Sequence, residues 1–196
     1  MQFLGFRPKR MVDGSMALPT TEEIVIANSV TVAEGSAVKL VPGGVDVADA
    51  TTDTVYGYVL GFIVDSGGRN LPLSLIATNT AYVDGTYSFA TTGSSYAAAS
   101  DNQTDKKVAA IIMPSADLVC SARLSAAGAT TTGSNLVGYY SNIETTAGNR
   151  ATLIDEASYT TSGDFLNVEG LSGISAYDPA ETDNRRVMVR AVSVQA

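Results

Sequence analysis

The chain has 196 residues, of which 45% are hydrophobic and 16% are charged, so it can build a packed core and is not a wholly disordered protein. Its formal net charge of −8 argues against nucleic acid and anionic membranes as partners, because binding to either depends on Lys and Arg. It has no histidine, which excludes Ser-His and Cys-His triads and most zinc sites, and its single cysteine, Cys120, excludes an intramolecular disulfide.

Residues 1–28 differ from the rest of the chain and predict an extended N-terminal arm. Large apolar side chains alternate loosely with basic ones, and Pro8 blocks a regular helix. A segment with this many apolar groups gains by burial, so we expect it to order on a partner protein. A disordered tail or a first edge strand is the alternative. The residues expected to contact the partner are Phe3, Phe6, Arg7, Lys9, Arg10 and Met11.

The stretch from Ser29 to Val64 predicts three strands joined by two tight turns. Val30 and Val32, and then Val38 and Leu40, are spaced two residues apart, the spacing that places side chains on one face of a strand. Gly43 and Gly44 supply a turn, and Val55–Val64 is an apolar and aromatic run typical of a strand buried on both faces.

Shorter strands follow along the chain, and abundant Thr, Ser, Asn and Gly favour strands and turns over helices. Asp84-Gly85 predicts a hairpin turn, and a strand that begins at Lys106 ends at Pro114. Leu118–Ala122 predicts a further strand in which Cys120 is a buried, inert thiol.

The second half of the chain repeats the first in outline. Three similarities carry this interpretation: residues 182–189 with 104–110, residues 135–140 with 54–59, and residues 152–155 with 81–84. A chance likeness between Thr-rich β segments is the alternative. The sequence therefore predicts an all-β fold of two small β-barrel or β-sandwich units in tandem, residues 29–114 and 115–196, after the extended arm of residues 1–28.

No set of residues predicts catalysis, a cofactor or a metal. A carboxylate pair such as Asp164 with Glu169, or Asp155 with Glu156, is formally possible, but glycosidases usually line their clefts with tryptophan and this chain has none. Asp178–Asn184 is rich in oxygen ligands, yet its spacing does not match an EF-hand loop and a solvated turn is expected. We therefore expect a protein that is not an enzyme.

Two basic pairs occupy corresponding positions in the two predicted units. These pairs are Lys106-Lys107 and Arg185-Arg186. They either protect the edges of strands from pairing or form ion pairs with an acidic partner.

The segment Ser29–Leu40, followed by Gly43-Gly44-Val45 and then by Asp53–Gly61, resembles the opening of head decoration (cement) proteins of tailed bacteriophages. The closing segment Tyr177–Val189 resembles the last strand of small phage virion proteins. The resemblance implies a β-rich fold, self-association, often as trimers, and attachment to the lattice of the major capsid protein without any chemistry.

We therefore expect a virion structural protein, made in the host cytoplasm, that binds the outer capsid surface and bridges subunits of the major capsid protein. The bases of the arm would meet acidic capsid patches and its aromatic rings would fill apolar grooves. A tail or baseplate component is one alternative. A receptor-binding or carbohydrate-binding β module is another, against which the absence of tryptophan weighs.

Overall fold

A computed structural model describes residues 5–48, 53–64, 71–73, 85–89, 94–104, 108–124, 138, 140–146, 150–161, 166–171, 186–192 and 194. The fold is all-β, which confirms the predicted class. The described strands are β1 (Arg7–Met11), β2 (Glu22–Val25), β3 (Thr31–Ala33), β4 (Ala37–Val41), β5 (Gly44–Val47), β6 (Gly57–Val64), β7 (Leu71–Pro72), β8 (Thr86–Ser88), β9 (Ser95–Ala97), β10 (Val108–Pro114), β11 (Leu118–Leu124), β12 (Tyr140–Thr146), β13 (Arg150–Thr160), β14 (Leu166–Leu171) and β15 (Arg186–Ala191).

A first unit is built on the antiparallel strand order β2-β10-β6-β4-β5, with β7 added to β6. A parallel bridge between Ile26 and Val45 connects the end of β2 to β5, and the Ala27 amide donates to the Val45 carbonyl at 2.9 Å. The pairings thus run in a circuit that returns to β2. The circuit of strands makes the unit barrel-like. Because a single bridge completes that circuit, the sheet is not closed by a full strand pairing.

A second unit is built on the order β11-β13-β12-β14-β15, and β15 pairs in turn with β11. The β11–β13 pairing is parallel, and the other neighbours in this circuit are antiparallel. Two residue pairs hold the β11–β13 junction and two hold the β12–β14 junction, so this sheet also stays open. Strand β1 lies outside the circuit and pairs with β11.

The two units have the same topology. When the five strands of each circuit are numbered in chain order, both circuits run 1-5-4-2-3, and in both the parallel contact joins the first strand to the third. A separate antiparallel sheet in the order β3-β9-β8 is inserted between strands of the first circuit. The shared order supports the interpretation that the chain contains a duplicated unit.

Only one of the three sequence similarities joins segments that occupy equivalent strands of the two circuits. The described parts of residues 104–110 and 182–189 fall in β10 and β15, which are the fifth strands of their circuits. Residues 54–59 lead into β6, a fourth strand, whereas residues 135–140 lead into β12, a second strand, so that similarity is not a structural repeat. Residues 81–84 lie outside the described residues.

Alternating apolar residues explain why these segments form strands. Along β15 every second side chain is buried, and β6, the centre of the first circuit, is buried on both faces over Gly57–Val59. A single cluster of buried side chains includes Val38 and Ile112 from the first unit and Leu118 and Val189 from the second. The two units therefore share one continuous core.

The N-terminal segment is part of this fold over its described residues. Glu22–Val25 and Ile26, which the sequence assigned to the arm, belong to the first circuit because Ile26 is fully buried and β2 pairs with β10. Arg7–Met11 forms the edge strand β1 of the second unit's sheet. The described part of residues 1–28 is therefore not a free extended arm, and the edge-strand alternative fits β1.

The buried thiol of Cys120 gives a direct test of the shared core. Cys120 is fully buried, and burial raises the pKa of its thiol, so the reactive thiolate is scarce in the folded protein. We expect a thiol-specific reagent to modify the native protein at least about a thousandfold more slowly than the protein in denaturant. The chain has no other cysteine, so the absorbance of the released group reports this site alone. Rapid modification without denaturant would contradict a closed core at β11.

Candidate functional site: the N-terminal strand and its exposed connection

Phe6, expected to contact a partner, is instead a core residue that joins the two units. Its side chain is 1% exposed, and its ring centroid lies 5.0 Å from that of Tyr58 in β6. Its amide donates to the Gly35 carbonyl at 2.9 Å. Phe6 thus fixes the start of β1, which pairs with the second unit, onto the first unit.

The residue before Phe6 is held from the second unit. The Gly5 carbonyl accepts a hydrogen bond from Arg186 Nη2 at 2.8 Å, and Arg186 also donates to the hydroxyl and carbonyl oxygens of Ser121 at 2.9 and 2.6 Å. A Cβ atom on Gly5 would collide with the backbone of Gly35. Glycine is therefore required here so that the two backbones can approach.

Tyr58 and Cys120 meet beneath this contact. The Tyr58 hydroxyl is fully buried, makes no hydrogen bond of good geometry within the described residues, and faces the thiol of Cys120, a weak partner. Burial, with a smaller contribution from Cys120, raises the pKa of Tyr58 well above its usual value. Both groups therefore stay protonated at neutral pH, and the pair acts in packing.

Strand β1 is tied to the second unit by pairing and by charge. Its residues pair antiparallel with β11, from Arg7 opposite Ser121 to Met11 opposite Leu118, with an irregularity between Pro8 and Arg10. Arg10 forms an ion pair with Glu169 at 3.4 Å, and Arg190 holds the other oxygen of that carboxylate at 3.1 Å.

The exposed part of the N-terminal segment lies on β1 and on the connection that follows it. Arg7 and Lys9 are exposed on β1. After a turn in which the Met11 amide donates to the Ser15 carbonyl at 2.8 Å, the chain runs to β2 with Met16 76% and Leu18 40% exposed. We call the exposed set Arg7, Lys9, Val12, Met16 and Leu18 the arm surface.

A groove of about 330 Å³ lies beside the arm surface. It is lined by Met11, Val12, Asp13 and Asp117. Met11 is half-buried and packs against the core, so it lines the groove and is not an exposed anchor. The groove combines apolar walls with two exposed carboxylates.

The structure therefore separates the six residues predicted to bind a partner. Arg7 and Lys9 are exposed, Arg10 is partly exposed and ion-paired within the chain, Met11 is half-buried, and Phe6 is in the core. Phe3 lies outside the described residues. Val12, Met16 and Leu18 were not predicted from the sequence as contact residues. The available signal was three large apolar residues in a connection otherwise rich in turn formers, where no strand could bury them.

The carboxylates and basic residues that the sequence offered as candidates for catalysis, metal binding or ion pairing with a partner have structural roles where their side chains are described. Glu169 is held between Arg10 and Arg190, and the Arg186 side chain bonds inward to Ser121 and Gly5. Asp164, residues 178–184, Lys106-Lys107 and Arg185 lie outside the described residues. Of Asp155 and Glu156 only the backbone, in β13, is described.

Within the described ranges, no group of three or more His, Cys, Asp and Glu residues is arranged to hold a metal ion. Nor does any helix in the same ranges have the length and apolar character to cross a membrane. Comparisons of the chain with protein-family models, with curated proteins and with solved structures found no match.

The contrast between Phe6 and Met16 can be measured as stability. We expect Phe6→Ala to lower the free energy of unfolding by about 3–5 kcal/mol, because it leaves a cavity against Tyr58 between the two units. Met16→Ala, at an exposed site in the same segment, should change it by less than about 0.5 kcal/mol. Urea unfolding followed by tyrosine fluorescence gives both values. Equal effects of the two substitutions would show that Phe6 does not join the units.

Proposed function

We propose that this chain is a virion structural protein that binds the outer surface of a capsid and stabilises the shell by bridging subunits of the major capsid protein. The observation that carries the proposal is the arm surface, in which exposed Met16 and Leu18 lie on the connection that follows the exposed basic residues Arg7 and Lys9. This surface belongs to a chain whose two β units share one core.

The arm surface has the composition of a docking site. Water-exposed Met and Leu side chains gain about 25 cal/mol for each Å² of apolar surface that a partner covers. Arg7 and Lys9 add long-range attraction to an acidic partner surface, although the chain as a whole carries a net charge of −8. Each contact is weak, and a lattice of repeated subunits multiplies it through avidity.

The scaffold suits bridging. The core runs continuously from the first unit to the second. Surface residues of one unit therefore lie at fixed distances from surface residues of the other. A chain that contacts one shell subunit through each unit would resist their separation. Self-association is part of the proposal, and the resemblance favours a trimer. An oligomer would bring several copies of the arm surface to the capsid at once.

The resemblance to phage decoration proteins supports the same function. The stretch that carries it, residues 29–61, forms β3, β4, β5 and the first half of β6. These strands include the centre of the first circuit, so the likeness lies in the scaffold. The docking residues are proposed from this chain's own surface.

Substitutions in the arm surface test the proposal. We expect the double substitution Met16→Asp with Leu18→Asp to weaken binding to shells that lack the protein by at least about tenfold, because it replaces two apolar contacts with charges that must be desolvated. The measurement is cosedimentation of the purified chain with capsids of its source virus. Phe89→Asp is the matched control, since Phe89 is 74% exposed on another part of the chain.

Point substitutions are needed because removing residues 1–16 would also remove Phe6 and β1 from the fold. Loss of binding with both double substitution and control would mean that binding follows exposed apolar groups in general. Full-strength binding of the double variant would reject the arm surface. Localisation of the chain to the tail of the particle would replace the capsid assignment with the baseplate alternative.

A further inference from the structure

A pocket of about 200 Å³ lies where the inserted sheet meets the first circuit, and we call it the Glu34 pocket. Strands β6, β8 and β10 and the residues that follow β3 and β7 line it, through Glu34, Gly61, Phe62, Leu73, Tyr87 and Ile111. At about 30 Å³ for each water molecule, the pocket has room for about six waters or for one side chain in their place. It is smaller than the pockets of roughly 300–1,000 Å³ that hold drug-sized ligands.

The walls of the Glu34 pocket are mainly apolar. Phe62 and Leu73 are 6% and 1% exposed, so the core already holds both side chains in place. The hydroxyl of Tyr87 donates to Ser94 Oγ at 2.8 Å, which leaves its ring as the part that can contact a ligand. Such walls stabilise methylene groups by burying them, and aromatic rings also attract cations. The walls therefore suit a ligand with an apolar stem.

Glu34 supplies the charged group among the described residues of this lining. Its amide donates to the Ser94 carbonyl at 2.8 Å and its Oε2 accepts from the Ser94 amide at 3.0 Å, so the carboxylate is fixed beside the start of β9. Among the residues that the structure describes, none donates a hydrogen bond to its other oxygen, Oε1. A half-buried carboxylate with one oxygen left over is an acceptor for a cationic donor.

Gly61 keeps the Glu34 pocket open. Its φ lies outside the left-handed region, so the backbone does not require glycine there. Apart from its neighbours in the chain, a Cβ atom at this position would meet only Cδ1 of Ile111, at an ordinary contact distance of 3.9 Å. Glycine inside a strand weakens it because there is no side chain to pack. The effect of glycine at this position is therefore to leave the pocket unfilled.

We infer that the Glu34 pocket binds a lysine side chain of a partner protein. The methylene stem packs against Phe62 and Leu73, and the ammonium group donates to Oε1 of Glu34. The net charge of −8 favours a partner with a basic surface and makes two copies of this chain repel. This inference does not depend on the partner being a capsid protein, and it is tested on the isolated chain.

The hydrogen bond from Ser94 selects lysine over arginine. A guanidinium group pairs best with both oxygens of a carboxylate, and the Ser94 amide already occupies Oε2 of Glu34. An ammonium group is a compact charge that needs one oxygen. Its four-carbon stem also matches a pocket that has room for one side chain.

The probe for the test is N-acetyl-lysine methylamide, added to the intact, isotopically labelled protein and followed by NMR. We expect it to shift the amide resonances of Gly61 and Phe62 with a dissociation constant on the order of 1 mM, since a single side chain makes the contact. The norleucine derivative has the same four-carbon stem without the charge and should bind at least about tenfold more weakly. The arginine derivative should also bind more weakly than lysine.

Four results would overturn the inference. Equal binding of norleucine would make the pocket purely apolar, and tighter binding of arginine would reject the choice of lysine. Butylamine that binds about tenfold more tightly than the lysine derivative would make a free amine the ligand. No shift at Gly61 at about ten times the expected dissociation constant would reject the pocket.

The charge of Glu34 is tested by Glu34→Gln, which keeps an acceptor for the Ser94 amide and removes the carboxylate. This substitution should weaken binding of the lysine derivative at least about tenfold and leave binding of norleucine unchanged. Asp13→Asn is the matched control, because Asp13 is an exposed carboxylate that also accepts a backbone amide, that of Ser15 at 2.8 Å. An equal loss in both variants would mean that the lysine responds to net charge and not to the pocket.

The space beside Gly61 is tested by Gly61→Val, which puts a side chain suited to strands into the pocket. We expect it to abolish the resonance shifts caused by the lysine derivative without lowering the urea midpoint of unfolding. Gly170→Val is the matched control in β14, where a Cβ atom would also have room, and it should leave binding intact. Lysine binding that survives Gly61→Val in the folded protein would contradict the inference.

Sedimentation of the protein alone tests the source of the lysine. We expect no self-association that Gly61→Val or Glu34→Gln abolishes. Oligomers that either substitution dissolves would place a lysine of a second copy in the Glu34 pocket and overturn the assignment to another protein.

Discussion

The packing of Phe6 against Tyr58 is one of the contacts that fix the arrangement of the two units. Phe6 comes immediately before a strand of the second unit's sheet, and Tyr58 lies in the central strand of the first unit. Arg186 closes the same contact from β15 by holding the Gly5 carbonyl. Without this aromatic pair, β1 would remain attached to the second unit by edge pairing and by the partly exposed Arg10–Glu169 ion pair, and ion pairs near the surface contribute little.

The two circuits share a strand order, yet they differ where the N-terminal segment meets them. The second circuit receives β1 beside its first strand, whereas among the described residues the first circuit has a single bridge at the equivalent edge.

The scaffold was predictable from the sequence where burial follows local period. Alternation near Val38 and the turn at Gly43-Gly44 predicted β4 and β5, and the apolar run to Val64 predicted β6. The burial of the Phe6 side chain was not predictable, because an aromatic residue among basic residues can either contact a partner at the surface or pack into the core. What decided it was Tyr58, a residue distant in sequence. The order of strands in the circuits likewise depends on long-range pairing, which no local pattern encodes.

The correction at Phe6 changes where binding energy can come from. An aromatic side chain at the centre of the core cannot also anchor a partner, so the apolar part of any docking contact shifts to Met16 and Leu18. These residues lie between β1 and β2, on the connection from the second unit to the first. A partner that covers this connection would contact the segment that links the two units along the chain. Binding there would therefore restrain this linking segment in addition to attaching the chain.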